Sequence, residues 1–407
     1  MEAPNILLAR QPIYDKQLNV HAYELLFRPP NQSNWEWDGD IATSQLVVNA
    51  FTEIGIEKVV NHKTAFINFT QKWLESPPPF DARYVTIEVL EDVDPNEEII
   101  AGVKTLAAKG FTIALDDFIY HEKWNPLLEI AHIVKIDVLT LGQNELETTL
   151  EQLKPYNVKL LAEKIEDHEM FERCKQLGFE FFQGYFLSKP QNIHGEVMPS
   201  NKVVIMSLLA ELQNPNATVD GLEKIISNDI SLSTKILRIC NSAEMAVVKK
   251  IDTIRRAVVL IGLQALKQWS SIIALSRMSD KPSELVCLTL QRAKMMEYLA
   301  NASNIENKAI FFTVGMFSLV DAFFDRPIQS LLKNLPFDDT VNGALLNYEG
   351  DVGKVLFCVQ AQEKGSWPDI DWPYLNSIGI DEEAFEKAYL DAIIWSTEVM
   401  QSLIDNH

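Results

Sequence analysis

Residues 84–137 read YVTIEVLEDVDPNEEIIAGVKTLAAKGFTIALDDFIYHEKWNPLLEIAHIVKID, and this stretch decides the fold. It holds three short apolar runs, Tyr84–Val89, Phe111–Leu115 and Ile133–Asp137, with a helix-like segment, Glu97–Ala108, between the first two. The runs are continuous rather than alternating, which suits strands covered on both faces, as in a parallel sheet wrapped by helices. Working outward, the same rhythm continues. Strands are expected at Asn5–Ala9, Val20–Phe27, Ala65–Phe69, Val158–Ala162 and Phe179–Phe182, and helices at Ile41–Ile54, Glu145–Leu153 and His168–Leu177. About eight strands in about 190 residues point to an α/β barrel of the TIM-like (β/α) type. A doubly wound open sheet is the competing reading, but no GxGxxG follows the first strand, which counts against its dinucleotide-binding version.

From about Met198 the character changes. Apolar positions recur with helical period over Val203–Leu212, Val219–Ser227, Leu232–Cys240, Ile254–Ile261, Gln264–Ser276, Glu284–Asn301 and Ala309–Phe324, as in an all-α C-terminal domain. The junction SKPQNIHGEVMPSNK carries Pro190, Gly195 and Pro199, so the expected domains are 1–197 and 198–407.

The chain has 407 residues, enough for two or three domains. Its 57 acids against 36 bases leave a formal charge of −21, with no Lys/Arg run to make a local basic patch. That charge disfavours binding to nucleic acid or anionic lipid. Cys174, Cys240, Cys287 and Cys358 form no CxxC pair, so neither a zinc site nor a disulfide framework is indicated. The N-terminus is not patterned as a signal peptide, and the most apolar run, Ala309–Val320, is shorter than the about 20 residues a membrane span needs. A cytoplasmic protein with reduced thiols is expected.

In such a barrel the chemistry sits where the strands end. Those ends carry Glu24, Asn68, Glu88, Asp116 with Asp117, Lys135, Glu163 and Gln183, recurring from Asn68 onward every 19 to 28 residues, one βα unit each. Any one could be a solvated loop residue. Together, acids, an amide and a lysine on one rim describe a site for hard divalent cations with oxygen ligands, able to activate water and clamp a phosphodiester. Lys135 could offset transition-state charge and Glu163 could serve as a general base.

These residues lie in a series of segments: RQPIYD (10–15), YELLFR (23–28), INFT, IEVLE, LDDF, VKID, AEKIE and FFQGYFLSKP. In order and spacing the series resembles the EAL family of barrel phosphodiesterases that hydrolyse cyclic di-GMP to linear pGpG. The resemblance implies Glu24, Asn68, Glu88 and Asp116 as metal ligands and Asp117 as a ligand of a second ion, with Mg or Mn as the metal. It implies Lys135 as the residue orienting the attacking water, Glu163 as general base and Gln183 as a late-barrel glutamine beside them. Glu91 would support the loop after the aspartates, and Gln11 and Arg28 would contact the dinucleotide. Three departures stand out. The loop Phe118–Ile130 is bulky and lacks glycine, Lys164 stands where glycine is usual, and Leu25 replaces alanine. In the family that loop supports metal binding and dimerisation, so a homodimer is implied only as far as the loop allows.

Residues 200–407 resemble the HDOD domain, a helical relative of the HD hydrolases. Such hydrolases need histidines beside aspartates. Of the 7 His only His407 lies in this half, so it reads as a regulatory or interaction module with an unidentified protein partner. The alternative for the whole chain is a catalytically degenerate barrel acting as a cyclic di-GMP sensor or a scaffold. His121 and His132 in the rebuilt loop read as packing or loop residues rather than ligands. Trp35 and Trp37 read as a loop anchored on the barrel rather than a guanine stack.

Overall fold

The computed structural model describes residues 7–28, 56–75, 81–190, 200–241, 251–278, 281–306 and 308–404. The helix expected at 41–54 and the tryptophans 35 and 37 lie outside these residues.

Eight strands close into a barrel in chain order: β1 (Leu7–Tyr14), β2 (Val20–Arg28), β3 (Thr64–Phe69), β4 (Val85–Val89), β5 (Thr112–Leu115), β6 (Ile133–Asp137), β7 (Lys159–Ile165) and β8 (Phe181–Gly184). Closure removes the open-sheet reading. The expectation of an all-parallel sheet needs one correction, because β1 runs antiparallel to both β2 and β8. The cause is the link at residues 15–19, far too short for the crossover of a dozen or more residues that parallel neighbours need. Asp15 closes this turn, its Oδ1 accepting from the backbone N–H of Gln17 (2.8 Å) and Asn19 (2.9 Å).

Side chains inside the barrel stack in layers set by the two-residue strand period. Ile13, Ala22, Phe66, Ala114, Ile133, Leu161 and Phe181 form one apolar layer within it. A larger apolar shell fills the space around the strands, including Ile99, Val103 and Leu106 from the helix Glu97–Ala108. That helix starts where expected, with the Asn96 side chain accepting from Ile99 N–H and Glu97 and Glu98 in its first turn.

The chain divides into two compact units that do not follow a single cut. One joins Met1–Leu187 to Gln360–Trp372 and Asp381–Leu390, and the other holds Ser188–Val359, Pro373–Ile380 and Asp391–His407. The linear division at 197/198 therefore misses two late segments that pack with the barrel.

The second unit is helical throughout its described residues. Its helices include Ser200–Gln213, Val219–Ser227, Ile230–Cys240, Ile254–Ser276, Ser283–Ala302, Ala309–Phe317 and Val320–Phe324. Thr218, Asp229 and Thr253 cap three of them through their side chains. Gly262, at φ 84°, breaks Ile254–Ser276 into the two segments read from the sequence. By length and composition alone this helix could cross a membrane, but half of its most apolar window is buried. Charge here is closely held: buried Asp325 accepts from Lys202 Nζ (2.9 Å) and Lys281 Nζ (2.5 Å), and half-buried Asp229 takes both guanidinium nitrogens of Arg277. Arg255 and Arg256 lie on an exposed face, paired with Asp220 and Glu223, and with Asp252.

Candidate active site

Two residues further toward the C-terminal ends of the strands, the apolar interior layer gives way to a polar one. Ala22 is followed by Glu24, Phe66 by Asn68, Thr86 by Glu88, Ala114 by Asp116, Ile133 by Lys135, Leu161 by Glu163 and Phe181 by Gln183. In β1 the count runs backward, from Ile13 to Gln11, because that strand is antiparallel. The registers agree: Asn68 stands opposite Glu88, and Gln11 opposite Glu24. Strand periodicity and chain direction thus carry eight polar side chains to one level.

Lys135 occupies the centre. Its ammonium lies 2.6 Å from Glu88, 2.6 Å from Asp116, 3.0 Å from Glu163 and 3.4 Å from Glu24. Lys135 and Glu88 are fully buried. Gln183 Nε2 donates to Glu24 Oε2 (2.6 Å) and to Gln11 Oε1 (2.9 Å), extending the network to β1. One ammonium faces four carboxylates, so the electrostatics are unbalanced. Burial opposes the charge on Lys135, but Glu163, Glu24, Glu88 and Asp116 overcome it and hold the ammonium well above the usual lysine range. Burial, then the neighbouring Glu24, lifts the Glu88 carboxyl well above the ordinary value against the pull of Lys135. Burial likewise pushes Glu163 up to about 8, with Asp116 and Glu24 adding to the rise and Lys135 opposing it.

This donor set fits a hard divalent cation. It offers oxygen ligands only, and Glu88 Oε2, Glu163 Oε2 and Gln183 Oε1 are buried without a hydrogen-bond donor. A cation would offset the burial and the neighbouring negative charge that raise Glu88 and Glu163. As the side chains stand, no three acidic, histidine or cysteine groups among the described residues are placed to hold a metal ion, because the carboxylates turn to the ammonium.

Other implied site residues are placed differently. Asp117 sits at φ 38° and turns to Lys164 (3.4 Å), outside the ring around Lys135. Lys164, itself at φ 57°, makes its shorter bond to Asp137 (2.7 Å). The left-handed backbone explains why glycine suits position 164, and the lysine uses that bulge to tie β6 to the rim. Its cation is thus directed to Asp137 and Asp117. Glu91 lies on an exposed turn after β4 and, among the described residues, makes no bond to the loop 118–130. Arg28 ends β2. In the rebuilt loop Phe118, Trp124, Leu127 and Leu128 are buried, so bulk replaces glycine by packing. His121 Nδ1 accepts from Lys123 N–H and His132 Nδ1 from Ile113 N–H, which commits both rings to backbone. Asp137 also ends its expected strand, but its partner Lys164 and its bonds to the N–H groups of Leu139 and Thr140 had no signal in the sequence.

Residues 42–190 match the EAL domain and residues 198–324 the HDOD domain. An uncharacterised protein of Bacillus subtilis, YuxH, is 33% identical over 98% of this chain and 99% of its own. The cyclic di-GMP phosphodiesterase CdgJ of Vibrio cholerae is 32% identical over 96% of this chain and 92% of its own. Among solved structures, an EAL domain protein from Listeria monocytogenes shares 21% identity with a TM-score of 0.36, covering 46% of this chain and 88% of that one. The barrel topology stands on this chain's own strand order.

Proposed function

This chain belongs to the family of proteins that join an EAL domain to an HDOD domain, and on that premise we propose that its barrel is a metal-dependent phosphodiesterase opening cyclic di-GMP to pGpG. The observation that carries the reading is the convergence of Glu24, Glu88, Asp116 and Glu163 on one buried level around Lys135. Glu24, Asn68, Glu88 and Asp116 would hold one Mg or Mn ion and Asp117 would contribute to a second. Bound there, the ions supply Lewis-acid activation of water and charge compensation on the phosphoryl oxygens. Glu163, with its carboxyl pushed up to about 8, is suited to accept a proton near neutrality. Lys135 orients the attacking water and limits charge build-up. Gln183 ties Glu24 to Gln11, which together with Arg28 contacts the dinucleotide. The helical unit serves as a non-catalytic regulatory module that binds a protein partner. The four cysteines are buried and form no disulfide, which supports a cytoplasmic, reducing setting in a bacterial cell.

A second reading, a cyclic di-GMP sensor without turnover, is favoured by Asp117, whose carboxylate is turned to Lys164. Turnover of cyclic di-GMP with Mg or Mn decides between them. The wild type should release pGpG, and Glu24→Ala and Glu163→Gln should each lose at least about a hundredfold. Metal-independent nucleotide binding without product would establish the sensor.

A further inference from the structure

β1 is held unevenly. It pairs with β2 from Leu7 to Tyr14 but with β8 only at Ile13 and Tyr14. Above that point β8 leaves it. Gly184, at φ 149°, approaches β7 so closely that a Cβ would come within 2.1 Å of the Ile165 carbonyl, and a 3-10 turn begins at Tyr185. The upper half of β1 then needs other partners for its buried polar groups.

They come from about 350 residues further along the chain. Gln362 Nε2 donates to the Leu8 carbonyl (3.0 Å), and the Tyr389 hydroxyl accepts from Arg10 N–H (3.1 Å). Gln362 is fully buried, and its Oε1 accepts from Trp367 Nε1 (3.1 Å), which fixes its amide. The Tyr185 hydroxyl donates to the Glu363 carbonyl (2.5 Å). The chain then turns through Gly365 at φ 65°, where a Cβ would come within 3.0 Å of Leu26 Cδ1. This turn lays the Lys364 carbonyl 3.1 Å from Gln11 Nε2. Gln11 Oε1 is thereby directed to Gln183 Nε2, which reaches Glu24. Reversing the Gln11 amide would set two NH2 groups against each other and leave the Lys364 carbonyl facing an oxygen.

We propose that the Gln362–Gly365 turn is a positioning element of the nucleotide site. It takes the place of β8 against the upper half of β1 and orients Gln11, so the late part of the chain sets the barrel's affinity for cyclic di-GMP. The identity of the ligand rests on the proposed function; the hold on β1 does not.

The test uses the full-length protein with Gln362→Ala and Tyr389→Phe, and with Lys364→Ala as the control that keeps the backbone carbonyl. Hydrogen–deuterium exchange without nucleotide should speed up in the peptide 7–14 for the first two variants, with β4 to β6 still protected and the control like the wild type. Unchanged exchange in that peptide overturns the proposal. With cyclic di-GMP, Gln362→Ala should raise KM about tenfold with little change in kcat. If the wild type binds nucleotide and KM does not move, the link to the site is refuted even where exchange rises. A wild type that binds no cyclic di-GMP refutes the proposed function instead, and the exchange result still decides whether the late segment holds β1.

Discussion

The two units bury charge in opposite ways. In the barrel a single ammonium, Lys135, is surrounded by four carboxylates from five-strand geometry that brings Glu24, Glu88, Asp116 and Glu163 together. In the helical unit a single carboxylate, Asp325, holds two ammoniums, Lys202 and Lys281. Asp325 is also a left-handed helix cap at φ 53°, and Lys202 reaches the Phe323 carbonyl as well (3.1 Å). Its cluster therefore fastens a helix end to the helix Ser200–Gln213. The barrel cluster fastens little that the strands do not already hold, and it leaves carboxylate oxygens without donors. Excess buried charge of one sign is costly unless a ligand compensates it, so it marks a site rather than a brace.

That contrast breaks most directly at Lys135. Lys135→Met should lower stability in metal-free buffer by about 3–5 kcal/mol, because four carboxylates then lack their cation. Added Mg should restore much of the loss, giving a larger shift than in the wild type. Asp325→Asn should cost about 3 kcal/mol, with the same Mg response as the wild type and none of the lost stability restored by Mg. Urea melts with and without Mg check both, and an equal Mg response in the two variants would dissolve the distinction.

A smaller effect separates another acid, the half-buried Asp321, from both clusters. Burial lifts the Asp321 carboxyl from its ordinary 3.8 to about 6, with Arg292 and Lys281 only partly opposing it. The folded protein thus holds this proton more tightly than the unfolded chain, and stability falls as pH rises from 3.8 through about 6. Asp321→Asn keeps an acceptor for Ala322 N–H and removes the charge. It should stabilise the protein by up to about 3 kcal/mol above pH 6, with no gain once both states are protonated at low pH. A gain that is the same at all pH values would assign the effect to packing.

The smallest effect is expected at the rim. Lys164→Gly suits a left-handed backbone and frees Asp117 and Asp137 from a half-exposed ion pair. Stability should change by less than about 1 kcal/mol, while Mg affinity measured by calorimetry rises severalfold. Unchanged affinity would show that the turn of Asp117 does not limit the site.

Much of this was legible in the chain. Strand ends in Glu88, Asp116, Lys135 and Glu163 mark one level because strand period and βα repeat are local properties. The helices Glu97–Ala108 and Val219–Ser227 have the bounds their apolar spacing and capping residues indicate. Lys164 was visible as an oddity but its partner was not, since Asp137 lies 27 residues away on another strand. The direction of β1 was open to inference from the short link at 15–19, although the apolar content of the strands points to a parallel sheet.

By itself, the sequence determined which residue types end each strand, the change from α/β to helical pattern near Met198, and that His407 is the one histidine after position 198. Tertiary structure alone decided that Lys135 stands at the centre of the acids, that Asp117 faces Lys164, and that Gln362 and Tyr389 complete β1. The reason is physical. Periodicity and capping act within a few residues, whereas these contacts join positions as much as 379 apart, and only closing the barrel and packing the late segments against it brings them within bonding distance.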